Sequence, residues 1–258
     1  MGVVNVTPDS FSDGGRFLDP QAAVAHARAL IDEGADILDV GAESSRPGAR
    51  GVSAAEELER LMPVLERLGG GVIPVSVDTV KPEVMKAALE AGASMINDIG
   101  ALRAPGALDA VAGSGAAVCL MHMQGEPHSM QKDPRYGDVV AEVAAFLEER
   151  VAAALAAGIA RERIAIDPGF GFGKAVVHNF ELLRSLDRIA AIGPPVVAGW
   201  SRKSTLGAVT GRAADDRLAA SLAAALLAVQ RGARILRVHD VAATRDALAV
   251  LAAFDGKS

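Results

Sequence analysis

The chain has 258 residues, half of them hydrophobic but only 3% aromatic, with a formal charge of −6. That balance supplies a large aliphatic core and excludes general affinity for nucleic acid, and no apolar run approaches the ~20 residues of a membrane helix. The single cysteine, Cys119, excludes a disulfide framework within the chain and reads as a buried structural thiol.

Eight short apolar runs each end in polar residues capable of chemistry: MGVVNVTPDS, ILDVGAESSRPG, PVSVDT, MINDIG, VCLMHMQG, IAIDPGFGFGK, VVAGWSRKS and ILRVHD. In chain order, the first strand is expected at 1–6 and its helix at about 20–33, started by Asp19-Pro20 and stopped by Gly34. The second strand is expected at 37–41. Ser53 with Glu56 then makes a capping box for a helix at 53–68. Strands follow at 74–78 and 94–98, with helices from Lys81-Pro82 to Gly92 and at about 105–113. A fifth strand at 117–122 leads through an irregular 124–136 to a long helix at about 137–157. The sixth strand is expected at 164–168 with a helix at about 178–191, and the seventh at 195–201. A short extra turn at 203–209 precedes a helix at 215–230. The eighth strand, 235–240, precedes a last helix running to about Phe254.

Eight strand–helix units with polar groups at the strand C-termini describe an α/β chain folded as one (β/α)8 TIM barrel domain, 1–258, with its chemistry on one mouth. An open doubly wound sheet binding a dinucleotide would need a glycine-rich turn after the first strand, and Thr7-Pro8-Asp9-Ser10 has none. The strand-end residues are then Asn5, Asp39 or Glu43, Ser45-Arg46, Asp78, Asn97-Asp98, His122, Asp167, Ser201-Arg202-Lys203, Arg237 and His239. Singly, each Asp is as ordinary as a helix cap and each Arg or Lys as a solvated charge. Gathered around one opening they imply a polar ligand. Gly169 to Lys174 is neither a phosphate loop nor a dinucleotide fingerprint. It reads as a loop that brings backbone and Phe172 close to a flat ligand. The five histidines lack metal-ligand spacing, and His26 and His178 fall in helical patterns as surface or packing residues.

Taken together, NVTPDSFSDGG, DVGAESSRPGA, VSVDT, IND, LMHMQG, DPGFGFGK, SRKS and RVHD resemble the dihydropteroate synthases, in that family's order and over nearly the whole chain. The resemblance implies a cytoplasmic transferase of folate (tetrahydrofolate) biosynthesis and a sulfonamide target. It implies a homodimer acting on small-molecule substrates, with neither nucleic acid nor membrane as partner. The reaction it implies joins p-aminobenzoate to 6-hydroxymethyl-7,8-dihydropterin pyrophosphate and releases 7,8-dihydropteroate and pyrophosphate, with Mg2+ as cofactor. By motif, Asn5 would hold the metal. Asp78, Asn97, Met121, Asp167, Phe172, Gly199, Lys203 and Arg237 would bind the pterin. Asn5, Arg46, Arg237 and His239 would hold pyrophosphate. Phe11, Ser45, Pro47 and Ser201 would bind p-aminobenzoate, and Arg46, Lys203, Arg237 and His239 would be the catalytic group.

The sequence departs from the family in three places. Ser45 stands where Thr is common. Trp200 is bulkier than the usual occupant and either packs against the barrel or crowds its mouth. Family members usually carry residues ahead of the first strand that plug the barrel bottom, and this sequence starts at that strand, so the expected barrel lacks the plug. Other readings compatible with parts of the pattern are a pterin-binding paralogue without the reaction and a pterin-dependent methyltransferase domain. A phosphosugar lyase barrel is a further one, but it would place a Schiff-base lysine in a strand, and Lys203 follows one.

Overall fold

The computed structural model describes residues 1–7, 20–44, 51–68, 71 and 73–256. Eight parallel strands follow one another in chain order: β1 (Gly2–Asn5), β2 (Leu38–Gly41), β3 (Val75–Asp78), β4 (Met95–Asp98), β5 (Ala117–Met121), β6 (Ile164–Asp167), β7 (Val196–Ala198) and β8 (Ala233–Leu236). The sheet closes on itself just beyond β8. The Val3 N–H donates to the Val238 carbonyl at 3.0 Å, and the Val238 N–H to that of Met1 at 3.0 Å.

The helices are α1 (Pro20–Asp32), α2 (Ala54–Leu68), α3 (Pro82–Glu90), α4 (Ala107–Ala112), α5 (Val139–Ala156), α6 (Val176–Arg184), α7 (Leu186–Ala190), α8 (Ser204–Thr210), α9 (Leu218–Gln230) and α10 (Val241–Phe254). Local chemistry sets their ends. Pro20 and Pro82 occupy first helical positions, where a missing N–H costs nothing. Ser53 Oγ accepts the Glu56 N–H at 3.2 Å ahead of α2. The Asp138 carboxylate accepts two N–H groups at the start of α5, from Val140 at 3.0 Å and Ala141 at 2.9 Å. Gly34, left-handed at φ 92°, stops α1 as expected.

Three expectations need correction. The helix at 178–191 is two helices, α6 and α7, broken at Ser185, whose ψ of 25° leaves the helical range. The strand at 235–240 lies at 233–236, so Arg237 and His239 stand beyond its end, on the connection to α10. The short turn at 203–209 is a two-turn helix, α8.

The pleat sorts the strand residues into two sets. Leu38, Val40, Val75, Val77, Ile96, Val118, Leu120, Ile164 and Ile166 point outward and join the helices in the main core. Their neighbours point into the barrel. Met1, Met95, Cys119, Ala165 and Val197, with Ile37, Ala117 and Ile235, fill its lower part. Two positions further along that inner set stand Asp39, Asn97, Asp167 and Arg237, with the apolar Met121 and Gly199 among them. Trp200 resolves as packing: it is 1% exposed, its ring 4.6 Å from Phe170 and 5.6 Å from Phe180. Cys119 is buried in the lower layer, and burial pushes its thiol well above the usual value. A disulfide reagent should leave the native thiol unmodified and label one equivalent after unfolding. Labelling of the native protein at the rate of a free thiol would contradict this placement.

Candidate active site

Asp39, Asp78, Asn97, Met121, Asp167, Gly199 and Arg237 each sit two residues beyond an inward-facing residue of the lower layer or at the equivalent end of a neighbouring strand. Period two therefore gathers them at the strand C-termini. A cleft there is lined by Asp78, Asn97, Ile99, Met121, Asp167, Gly169, Phe170, Phe172, Gly199, Lys203 and Arg237. All eight residues assigned to a pterin by motif are in that set. A wider cavity of about 710 Å³ adjoins it, sharing Asp78 and Ile99 and walled by Glu43, Arg103, Glu126 and His128 among others.

Arg237 organises the floor. Its Nε donates to Asp39 Oδ2 at 2.6 Å and its Nη2 to Asp78 Oδ2 at 3.0 Å. Asn97 Nδ2 donates to the same Asp39 oxygen at 3.1 Å. Burial works against the charge of Arg237, but Asp39 and Asp78 outweigh it and raise its pKa. Burial pushes Asp78 up to about 7 against the pull of Arg237. Asp39, one of the alternative strand-end candidates with Glu43, is fully buried and is the one that meets Arg237 and Asn97. The register settles it, inward-facing between Ile37 and Gly41.

Opposite, Asp167 Oδ1 accepts the Gly169 N–H at 2.7 Å, and burial raises its pKa. Lys203 Nζ stands 4.1 Å from the Phe172 ring centroid, a cation–π contact. Burial, then Arg237, lowers Lys203 to about 8. The turn carrying it holds Arg202 at φ 58°, a left-handed conformation that a non-glycine residue keeps only under constraint. The constraint is visible: Arg202 grips Asp240 through Nε at 3.2 Å and Nη2 at 2.6 Å, and the Arg202 N–H donates to Ser221 Oγ at 3.0 Å.

At the rim, Ser201 Oγ accepts the His239 N–H at 3.2 Å and lies 2.9 Å from its Nδ1. In the tautomer where the serine hydroxyl donates to Nδ1, Nε2–H is left as a donor. Burial, then Arg237, brings His239 down to about 4. His239 is thus a neutral donor at pH 7 rather than one more cation. Two other strand-end residues serve the scaffold. Asp98 accepts the N–H groups of Gly100 at 2.6 Å and Leu102 at 2.8 Å, and buried His122 faces Lys174. His26 lies exposed on α1, and His178 Nδ1 accepts the Ala175 N–H at 3.2 Å, as surface and packing residues. Phe11, Ser45, Arg46 and Pro47 lie outside the described residues.

Among the described residues no three His, Cys, Asp or Glu side chains converge on a possible metal. Half-buried Asn5, at the end of β1, offers an amide oxygen. A single oxygen ligand completed by water and phosphate suits a hard divalent cation such as Mg2+ rather than a metal that prefers imidazole or thiolate.

A closed parallel barrel with a polar cleft at its strand C-termini defines an enzyme site for a small, hydrogen-bonding ligand. The family model for pterin binding enzymes matches residues 1–239. A dihydropteroate synthase of Escherichia coli K12 is 49% identical over 98% of this chain and 90% of its own length. The solved dihydropteroate synthase of Xanthomonas albilineans with 4-aminobenzoic acid is 58% identical, TM-score 0.93, covering 98% of this chain and 92% of that one. The same enzyme in complex with 7,8-dihydropteroate is 55% identical, TM-score 0.89, with the same coverage. The chain belongs to the pterin-binding enzyme family.

The motif assignment of Asp78 and Lys203 to a pterin predicts a pH window for its affinity. On that assignment Asp78 must ionise to accept N–H groups, so affinity should rise as pH passes about 7. Lys203 loses its proton near 8, so affinity should fall above that. Calorimetric titration of a dihydropterin from pH 6 to 9 should give this bell, with macroscopic midpoints shared by the coupled groups. Asp78→Asn should lessen the lower limb, which Asp167 shares because burial raises it too, and keep the upper, and a flat wild-type profile would contradict the assignment.

Proposed function

We propose that the chain condenses 6-hydroxymethyl-7,8-dihydropterin pyrophosphate with p-aminobenzoate, giving 7,8-dihydropteroate and pyrophosphate. The observation that carries the reading is the convergence of Asp78, Asn97, Asp167, Lys203 and Arg237 on one cleft, on a chain that matches dihydropteroate synthases nearly end to end.

The residue types fit a pterin. Its ring N3–H and 2-amino group are adjacent donors that one carboxylate accepts together, the role of Asp167. The Gly169 N–H fixes the plane of that carboxylate. Asn97, able to donate and accept, and Asp78 meet the remaining edge. Lys203 donates to the ring carbonyl or N5, Met121, Gly199 and Phe172 wall the ring, and the Arg237 guanidinium lies against its face. The pyrophosphate end meets Arg46, Arg237 and the His239 Nε2–H, with Ser201 holding the imidazole. Bound beside Asn5, Mg2+ would neutralise charge on the pyrophosphate.

Departure of pyrophosphate leaves the pterin methylene cationic, supported by the conjugated ring and the buried carboxylates. This favours a dissociative, SN1-like course in which the weakly basic aryl amine needs positioning more than a base. Phe11, Ser45, Pro47 and Ser201 make the p-aminobenzoate side of the site, and sulfonamides compete there as mimics. The chain works in the cytoplasm as one domain over 1–258 and as a homodimer. Val209, Leu227, Val250 and Phe254, 48–82% exposed on α8, α9 and α10, supply an apolar face for pairing.

Purified protein with both substrates and Mg2+ should release pyrophosphate and form dihydropteroate, competitively with sulfamethoxazole against p-aminobenzoate. Asp167→Asn should lower kcat/KM for the pterin by about 10⁴, the discrimination of a site built to pair substrate N–H groups. A protein that binds pterin but never releases pyrophosphate would be a binding paralogue instead.

A further inference from the structure

Lys174 ends the glycine-rich loop after β6, and no step of the reaction requires it. Its side chain is 2% exposed, an expensive place for an ammonium. Its Nζ lies 2.9 Å from the Gly169 carbonyl, 3.0 Å from that of Phe172 and 2.9 Å from His122 Nδ1, with the His122 carbonyl further off at 3.4 Å. Three N–H groups thus meet three near acceptors. Burial, then the charge of Lys174, brings His122 down to about 3, so its ring stays an acceptor.

The loop it fastens does two things for the cleft. The Gly169 N–H orients Asp167, and Phe172 carries the aromatic face under Lys203. The path is tight. Gly169, at φ 69°, runs so close to β5 that a Cβ would stand 1.9 Å from the His122 carbonyl oxygen. Elsewhere the loop is held at Gly171, whose N–H donates to Asn179 Oδ1 at 2.7 Å and whose carbonyl accepts from Gln131 Nε2, and at Gly173, whose carbonyl accepts from the Tyr136 hydroxyl at 2.8 Å. Lys174 alone among the described side chains donates to both Gly169 and Phe172.

We propose that Lys174 is a positioning residue for the pterin: its buried ammonium ties Gly169 and Phe172 to His122 and so fixes the Asp167 carboxylate and the Phe172 ring in binding geometry. Asp167 raises the pKa of Lys174 and Lys203 lowers it, but burial dominates and brings it down to about 7. The three close acceptors favour the charged form against burial, so near pH 7 the ammonium stands in balance with the neutral amine.

The inference rests on the pterin reading of the cleft, so wild-type and variants are titrated side by side with the pterin pyrophosphate. Lys174→Met keeps the apolar stem and removes the donors. It should weaken pterin binding at least 30-fold and leave the KM for p-aminobenzoate within threefold. Lys174→Gln, which keeps two N–H donors, should recover part of the loss. Amide exchange over 169–173 should quicken in both variants while β6 stays protected. Should the Met variant fail to fold, the Gln variant and its exchange pattern decide alone. Pterin affinity within threefold of wild type in a folded variant, or equal losses for both substrates, would overturn the inference. A wild-type protein that binds no pterin would overturn the functional reading and this inference with it.

Discussion

A guanidinium held inside the barrel between two carboxylates is the constraint around which the site is arranged. Arg237 reaches across the floor from the end of β8 to Asp39 on β2 and Asp78 on β3, and Asn97 on β4 joins through the same Asp39 oxygen. Taking these charges out of water costs several kcal/mol per ion, offset only by close pairing. The arrangement is a poor source of stability. It is a good way to hold a planar cation and two acceptors still before any ligand arrives, which is what a site complementary to a flat heterocycle needs.

The barrel supplies the geometry at little further expense. Alternation along each strand gives helices one face and the interior the other, so one sequence register decides both. The lower interior is apolar around Met95, Cys119 and Val197, and the next layer up carries Asp39, Asn97, Asp167 and Arg237. Beyond the strands, positioning passes to loops fastened by charged side chains, one buried and one pair part-exposed. Lys174 secures the connection after β6, and the Arg202–Asp240 pair holds the strained turn after β7 that presents Ser201 and Lys203.

The barrel was legible because eight polar endings on aliphatic runs recur at the spacing of strand–helix units, and the motif residues inherit their place from those endings. Finer features depended on contacts between distant segments. Asp39 lacks an exposed position or a distinctive neighbour, and only pairing with Arg237, 198 positions away, shows its use. His122 and Asp98 occupy strand ends like their neighbours, but their partners are a buried lysine and local backbone. The motif gives His239 a place on the pyrophosphate but not its protonation, and burial beside Arg237 lowers its pKa to about 4. Helix continuity over 178–191 failed because composition does not register a single non-helical residue at Ser185. Trp200, ambiguous in sequence, packs between Phe170 and Phe180.

The most direct test of the buried network is the affinity of Asp39→Asn for the pterin pyrophosphate, measured by calorimetry beside wild type. The substitution keeps shape and removes the charge that aligns Arg237, and Asp39 itself is not among the residues that line the cleft. A folded variant bound about a hundredfold more weakly, the ~3 kcal/mol at the low end for breaking one partner of a buried ion pair, is the expected result. Binding within threefold of wild type would show that Arg237 needs no such anchor and that the cleft is organised by something else.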